Sequence, residues 1–175
     1  GYGLAASQLV RLKDAGIKLT VSVDKVAASG GYMMACVADQ IIAAPFAILG
    51  SIGVVAQIPN FHKLLKKNDI DFEMHTAGEY KRTLTFFGEN TDKAREKFQS
   101  DIDDIHVLFK EFVATNRPVL AIDEVSTGEY WFGQRALEKN LADRLCTSDG
   151  FLLEHLEGSD LIEVRFRAKR NWQER

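Results

Sequence analysis

AASGGYMMACVAD (residues 27–39) sets one serine among alanines and glycines and then runs on into an apolar stretch. From Gly30 to Asp39 small and apolar residues occur nearly all round a helical wheel, which predicts a buried helix. Ser29 therefore falls where a strand region gives way to a helix. At such a junction the first backbone N–H groups have no intrahelical partner, and the helix dipole favours negative charge. Gly30 and Gly31 present N–H groups with no side chain in the way and let another chain approach closely. Ser29 then has two readings. It is a helix N-cap, since Ser is a favoured cap and Gly is common in turns. Or it is a nucleophile, with the Gly30 N–H placed to meet the oxyanion it would create. Residues 27–31 alone favour the cap. The G-x-S-x-G elbow is absent, although the strand–turn–helix logic is the same.

Outward from this stretch, apolar periodicity alternates between helix and strand. LAASQLVRLKDAG (4–16) suits an amphipathic helix closed by Gly16, and IKLTVSV (17–23) alternates as a strand does. QIIAAP (40–45) predicts a short strand ended by Pro45, NFHKLLKKN (60–68) a short helix capped by Asn60, and IDFEMHT (70–76) another strand. Ala94, Phe98, Ile102, Ile105, Phe109 and Phe112 recur at steps of three and four, predicting a helix over 92–115 that Asn116 and Pro118 end. FGQRALEKN (132–140) reads as a helix, LADRL (141–145) as a strand, DGFLLEHLEG (149–158) as a helix and LIEVRF (161–166) as a last strand. The alternation predicts an α/β domain of parallel βαβ-type units with right-handed crossovers. It forms one domain over 1–175, without repeats or an interdomain linker.

Composition narrows the partners. The chain has 175 residues, 46% hydrophobic and 27% charged, enough to bury a real core. A net charge of −3 argues against nucleic acid as a partner, because phosphate binding needs a basic field. The closing run RFRAKRNWQER (165–175) is the basic exception and reads as a solvated tail, or more sharply as a lipid or partner surface. Cys36 and Cys146 lie in no Cys-x-x-Cys or Cys/His pattern, so no metal is expected; their redox state stays open. The longest apolar run, QIIAAPFAILG (40–50), is too short to span a bilayer and is broken by Pro45. The abrupt start at GYGLAAS reads as a trimmed front end, from which an anchor is missing.

A nucleophilic serine needs a base. His62, His75, His106 and His155 sit in no recognisable acid–base pattern: His75 lies on the polar side of a predicted strand and the others on exposed-looking helices. The other option is a lysine. TAGEYKRTL (76–84) holds Lys81 in a weakly patterned segment just past a predicted strand end, where α/β sheets build their sites. To act as a base it must be neutral, and bringing an amine from ~10.4 to near 7 means roughly 4 kcal/mol against the ammonium. An apolar cleft can supply that by desolvation. Its plainer reading is a solvated surface lysine. AILGSIGVV (47–55) adds Ser51 between two glycines, either a turn residue or a hydroxyl able to aim the lysine nitrogen.

Taken together, AASGGYMMACVAD, GSIGVV and TAGEYKRTLT resemble the motifs of the signal peptide peptidase A-like serine peptidases, and within them the single-domain SohB-type proteases of Gram-negative bacteria. STGEYWFGQRALEKNLADRL resembles a further family motif, with Asn140 where members often carry glycine. The likeness runs along almost the whole chain. It implies a ClpP/crotonase-like fold and a Ser–Lys dyad, with Ser29 as nucleophile, Lys81 as general base, Ser51 orienting the lysine and the Gly30 N–H in the oxyanion hole. It implies no metal or cofactor. It implies peptide substrates, including signal peptide remnants left in the membrane, cut on the periplasmic side of the bacterial inner membrane by a homo-oligomeric ring. The family's Gly-rich segment, which completes the oxyanion hole, and its transmembrane anchor would both lie upstream of Gly1, so a peptidase domain truncated at its N-terminus is the expectation.

Two rival readings keep the architecture and change the chemistry. A crotonase-like enzyme would bind acyl-CoA and hold an enolate on backbone N–H groups, with no nucleophile. A non-catalytic ring-forming scaffold would use the phenylalanine-rich helix 92–115 to pack between subunits; the chain has 11 phenylalanines, most of which core packing explains.

Overall fold

The strand expected at 17–23 forms over its second half. In a computed structural model, which describes residues 1–166, the elements run α1 (Tyr2–Asp14), β1 (Thr20–Val23), β2 (Val26–Ala28), α2 (Gly30–Ala35), β3 (Gln40–Ala43) and β4 (Ile48–Gly50). There follow α3 (His62–Lys67), α4 (Asp92–Asn116), α5 (Ile122–Val125), β5 (Tyr130–Phe132), α6 (Gly133–Glu138), β6 (Arg144–Leu145) and α7 (Ser148–His155). Among the described residues the strands make two three-stranded sheets, ordered β1–β3–β6 and β2–β4–β5. Each successive strand pair gives one strand to each sheet: Val21 pairs with Ile41 in the first, Ala27 with Leu49 in the second. This stacking of turns is the ClpP/crotonase-like arrangement.

Packing explains the stack. Ile41, Ile42, Leu49 and Ile52 are fully buried, with Tyr32 of α2, Val113 of α4 and Leu141 closing over them. The Tyr32 hydroxyl donates to the Leu141 carbonyl at 3.1 Å, so the one polar atom of that buried ring has its partner. Burial pushes the Tyr32 phenol up. α1 packs against α2 and holds it from outside. Gly133 opens α6 against the turn just after β3: a Cβ there would meet the Ala44 carbonyl at 2.1 Å.

One ion pair ties the last strand to this core. Arg117, just past α4, is 5% exposed and grips Asp143 through both terminal nitrogens, at 2.8 and 3.1 Å, while its Nε donates to the Asn140 carbonyl. Asp143 Oδ2 also accepts the Ile41 N–H at 2.7 Å, so β3, β6 and the end of α4 meet at one carboxylate.

The structure corrects several expectations. β5 pairs antiparallel with β4, so the sheets are not wholly parallel. Residues 70–76 form no strand: the alternating face is real, but no strand lies alongside to take its backbone hydrogen bonds, and Phe72 turns to Phe87 instead. Residues 161–166 likewise form no strand, and Ile162, Val164 and Phe166 stand almost fully exposed. Phe61, not Asn60, is the N-cap of α3, although Asn60 Oδ1 accepts the His62 N–H at 3.3 Å. The helix expected over 30–39 ends at Ala35. β4, β5 and α5 had no expectation, and β2 only that of a strand region before Ser29, because elements this short carry little apolar periodicity of their own. The expected tail beyond residue 166 lies outside the described residues.

Residues 55–91 form a long strap whose one regular element among the described residues is α3. The strap holds itself together. Asn60 Nδ2 donates to the Thr85 and Gly88 carbonyls at 2.9 and 3.0 Å, and Phe61, Phe72 and Phe86 gather round Phe87. Lys93 at the start of α4 reaches the strap at Glu79, 2.5 Å away, and holds that carboxyl below the usual carboxylate range.

Two outcomes check this packing. Asp143→Ala strands the Arg117 guanidinium and should lower unfolding free energy by about 3 kcal/mol in urea titration. Both cysteines are free, and burial pushes the Cys36 thiol up to about 12; a disulfide-exchange reagent at neutral pH should therefore modify half-buried Cys146 in the native protein and Cys36 only after denaturation.

Candidate active site

Ser29 is held in a backbone conformation that serine rarely takes. Its φ of 51° and ψ of −120° are those of the first corner of a type II′ turn, a position glycine dominates. Keeping a serine there costs about 1–3 kcal/mol, and such strain persists only where the surroundings over-determine it. They do. The Ser29 N–H donates to the Gly50 carbonyl at 2.8 Å, and the Ser29 carbonyl accepts the Met33 N–H at 2.9 Å. One bond anchors the corner to β4 and the other to the first turn of α2. Ser29 occupies the N-cap position of α2, but its hydroxyl makes no capping hydrogen bond. The N-cap reading thus loses its physical basis: Ser29 is exposed, and its hydroxyl is not committed to the helix.

Ser51 repeats the pattern at the end of β4. It too has φ 51°, and its N–H donates to the Glu129 carbonyl at 2.6 Å. Ser29, Gly30 and Ser51 line one cleft of about 760 Å³. Its walls are apolar: Met33, Val54, Val55, Ile105 and Phe109. Tyr2 closes one side, with its ring so near Gly30 that an added Cβ would lie 2.2 Å from it. Gly30 is buried, and as the first residue of α2 it carries an N–H with no acceptor in its own helix.

Lys81 is not in this cleft. It lies exposed on the strap and lines a second cleft of about 560 Å³ with Phe72, Tyr80, Phe86 and Phe87; the two clefts share no lining residue among those described. Of the four sequence-derived site residues, the structure brings three to one cleft and leaves the fourth on a separate element.

His106 is the cleft residue that sequence reasoning passed over. It was expected on an exposed helix face; it is half-buried, lines the Ser29 cleft, and points Nε2 at the Ile52 carbonyl, 3.3 Å away. The signal was present: 102, 106, 109 and 113 fall on one stripe of α4, and Phe109 and Val113 are its buried anchors.

The apolar cleft around the strained serine is thus framed by the stacked α/β turns. The chain belongs to peptidase family S49, whose profile matches residues 11–161. It is 60% identical over 170 residues to "Probable protease SohB" of Haemophilus influenzae, covering 97% of this chain and 48% of that protein. It is 71% identical over 153 residues to "Probable protease SohB" of Buchnera aphidicola subsp. Schlechtendalia chinensis, covering 87% of this chain and 50% of the relative. The chain therefore spans about half the length of these curated relatives. A solved membrane-bound stomatin-specific protease overlays 88% of this chain and 63% of its own at TM-score 0.49 and 14% identity.

Because the strain comes from a side chain at positive φ, Ser29→Gly relaxes it and Ser29→Ala does not. Thermal unfolding of the two variants should find the glycine form more stable by about 1 kcal/mol, the gain remaining after glycine's larger unfolded-state entropy is set against it.

Proposed function

We propose that this chain is the core of a serine endopeptidase, with Ser29 as nucleophile and Lys81 as general base. The observation that carries the reading is the strained, uncapped Ser29 beside the Gly30 N–H in an apolar cleft, within a peptidase-family chain. In the reacting state the strap swings so that Lys81 enters the Ser29 cleft, where apolar walls disfavour its ammonium form. Neutral Lys81 takes the hydroxyl proton as Ser29 Oγ bonds to the scissile carbonyl carbon. The Gly30 N–H donates to the oxyanion. Lys81 passes the proton to the leaving amine as the C–N bond breaks. Water then attacks the acyl-enzyme with Lys81 again accepting a proton; as the bond from Ser29 Oγ to the acyl carbon breaks, Lys81 returns that proton to Oγ and the acid product leaves. Ser51 donates to or accepts from the lysine nitrogen and fixes its aim. The chemistry asks for no metal or cofactor.

The same apolar walls suit small or apolar side chains beside the cut, which fits peptides derived from membrane segments, including signal peptide remnants. Placement at the periplasmic face of a bacterial inner membrane and assembly into a homo-oligomeric ring belong to this reading.

The full-length gene product tests it, beside its Ser29→Ala and Lys81→Ala forms. Hydrolysis of an apolar peptide and covalent labelling by a fluorophosphonate should both vanish in Ser29→Ala. Lys81→Ala should lose about 10²–10⁴-fold in hydrolysis. Full activity in Lys81→Ala would remove the lysine from the mechanism. Saturable acyl-CoA binding without labelling would favour a crotonase-like enzyme, and a function indifferent to both substitutions a scaffold.

A further inference from the structure

We infer that His106 is a positioning residue for this site, acting through the Ile52 carbonyl on Ser51. The inference rests on the serine-peptidase reading above. A carbonyl only accepts, so a ring nitrogen facing it at 3.3 Å carries the proton, and His106 Nε2–H donates to Ile52. That nitrogen then has no lone pair, and the ring's remaining lone pair is on Nδ1.

The Ile52 carbonyl is a shared point. It also accepts the Gly128 N–H at 3.2 Å, while the preceding Ser51 N–H donates to the Glu129 carbonyl at 2.6 Å. The segment 51–53 is thus held on one side by the 128–129 turn and on the other by α4. The hold on the turn side is close: a Cβ on Gly53 would lie 2.9 Å from the Gly128 Cα. Ser51 needs such a hold, because its φ of 51° is one a free serine would leave. His106 is well placed to supply it. It stands one turn before Phe109, 5% exposed, and two before Val113, fully buried, so the core fixes the helix that carries it. The His106 side chain and the backbone of the turn after α5 therefore converge on Ser51 and Ile52, beside the hydroxyl proposed to aim the lysine.

The test uses the full-length gene product and four forms: His106→Leu, which loses the donor, His106→Gln, which keeps one, Ser51→Ala, and the double form His106→Leu with Ser51→Ala. On an apolar peptide His106→Leu should lower kcat about tenfold or more with KM within about twofold. His106→Gln should recover to within about threefold. In the Ser51→Ala background, removing the His106 donor should cost less than about twofold, because the effect passes through Ser51. Wild-type kcat in His106→Leu, or an equal loss in both backgrounds, overturns the inference. Ring 15N spectra of the wild-type protein supply a test independent of variant folding: the proton should reside on Nε2, and a neutral ring protonated at Nδ1 contradicts the donor role. If Ser29→Ala itself keeps activity, the peptidase reading has failed and not the positioning of Ser51 alone.

Discussion

The bond from the Ser29 N–H to the Gly50 carbonyl governs the arrangement of the cleft. It joins the corner before α2 to the end of β4, and so fastens together the two places where a serine is forced to positive φ. Parallel pairing of β2 with β4 puts Ala28 opposite Gly50, which brings that carbonyl within reach. The helix start supplies the other restraint through Met33. Strain at Ser29 is therefore sustained by the sheet, and the sheet by the buried Ile41, Leu49, Ile52 and Tyr32. Core packing and the exposed serine are two ends of one mechanical chain.

The second constraint is a division of labour between a rigid stack and a strap. The cleft is built from elements that pack on the core. Lys81 rides on residues 55–91, which are held chiefly by their own aromatic cluster and by Lys93 reaching Glu79. On the proposed mechanism this separation has a use. An amine becomes a base only when it loses its water, and bringing it into an apolar cleft together with a substrate lets closure and desolvation coincide. Phe86, Phe87 and Met74 are exposed on the same strap, and such closure would bring them toward the stack.

Much of this was legible in the residues themselves. The long helix showed because Phe98, Ile102 and Phe109 keep a steady period, and its observed limits, Asp92–Asn116, differ from expectation by one residue. The Ser29 corner showed because two glycines after a serine at a strand end leave few other structures. The strands at 70–76 and 161–166 did not materialise, since alternation reports an apolar face but not whether a partner strand lies beside it. β5 was hidden for the opposite reason: YWF is too short to alternate, and its pairing with β4 is a long-range event. The site split the same way. Ser29, Gly30 and Ser51 sit on elements whose contacts are set by the stack and line one cleft; it was the family resemblance, not the local pattern, that grouped them, and it grouped Lys81 with them. Lys81 sits where local sequence fixes neither strand nor helix, and His106 was missed because a lone histidine on a charged helix looks solvated.

The account is tested most directly by the structure of the full-length gene product carrying a β-lactone adduct. It predicts the acyl group on Ser29 Oγ, its oxyanion oxygen facing the Gly30 N–H, and Lys81 Nζ of the same chain within about 3.2 Å of Oγ with the strap drawn over the cleft. An adduct on another residue, or Lys81 still beside Tyr80 and Phe86 in its own cleft, would contradict it.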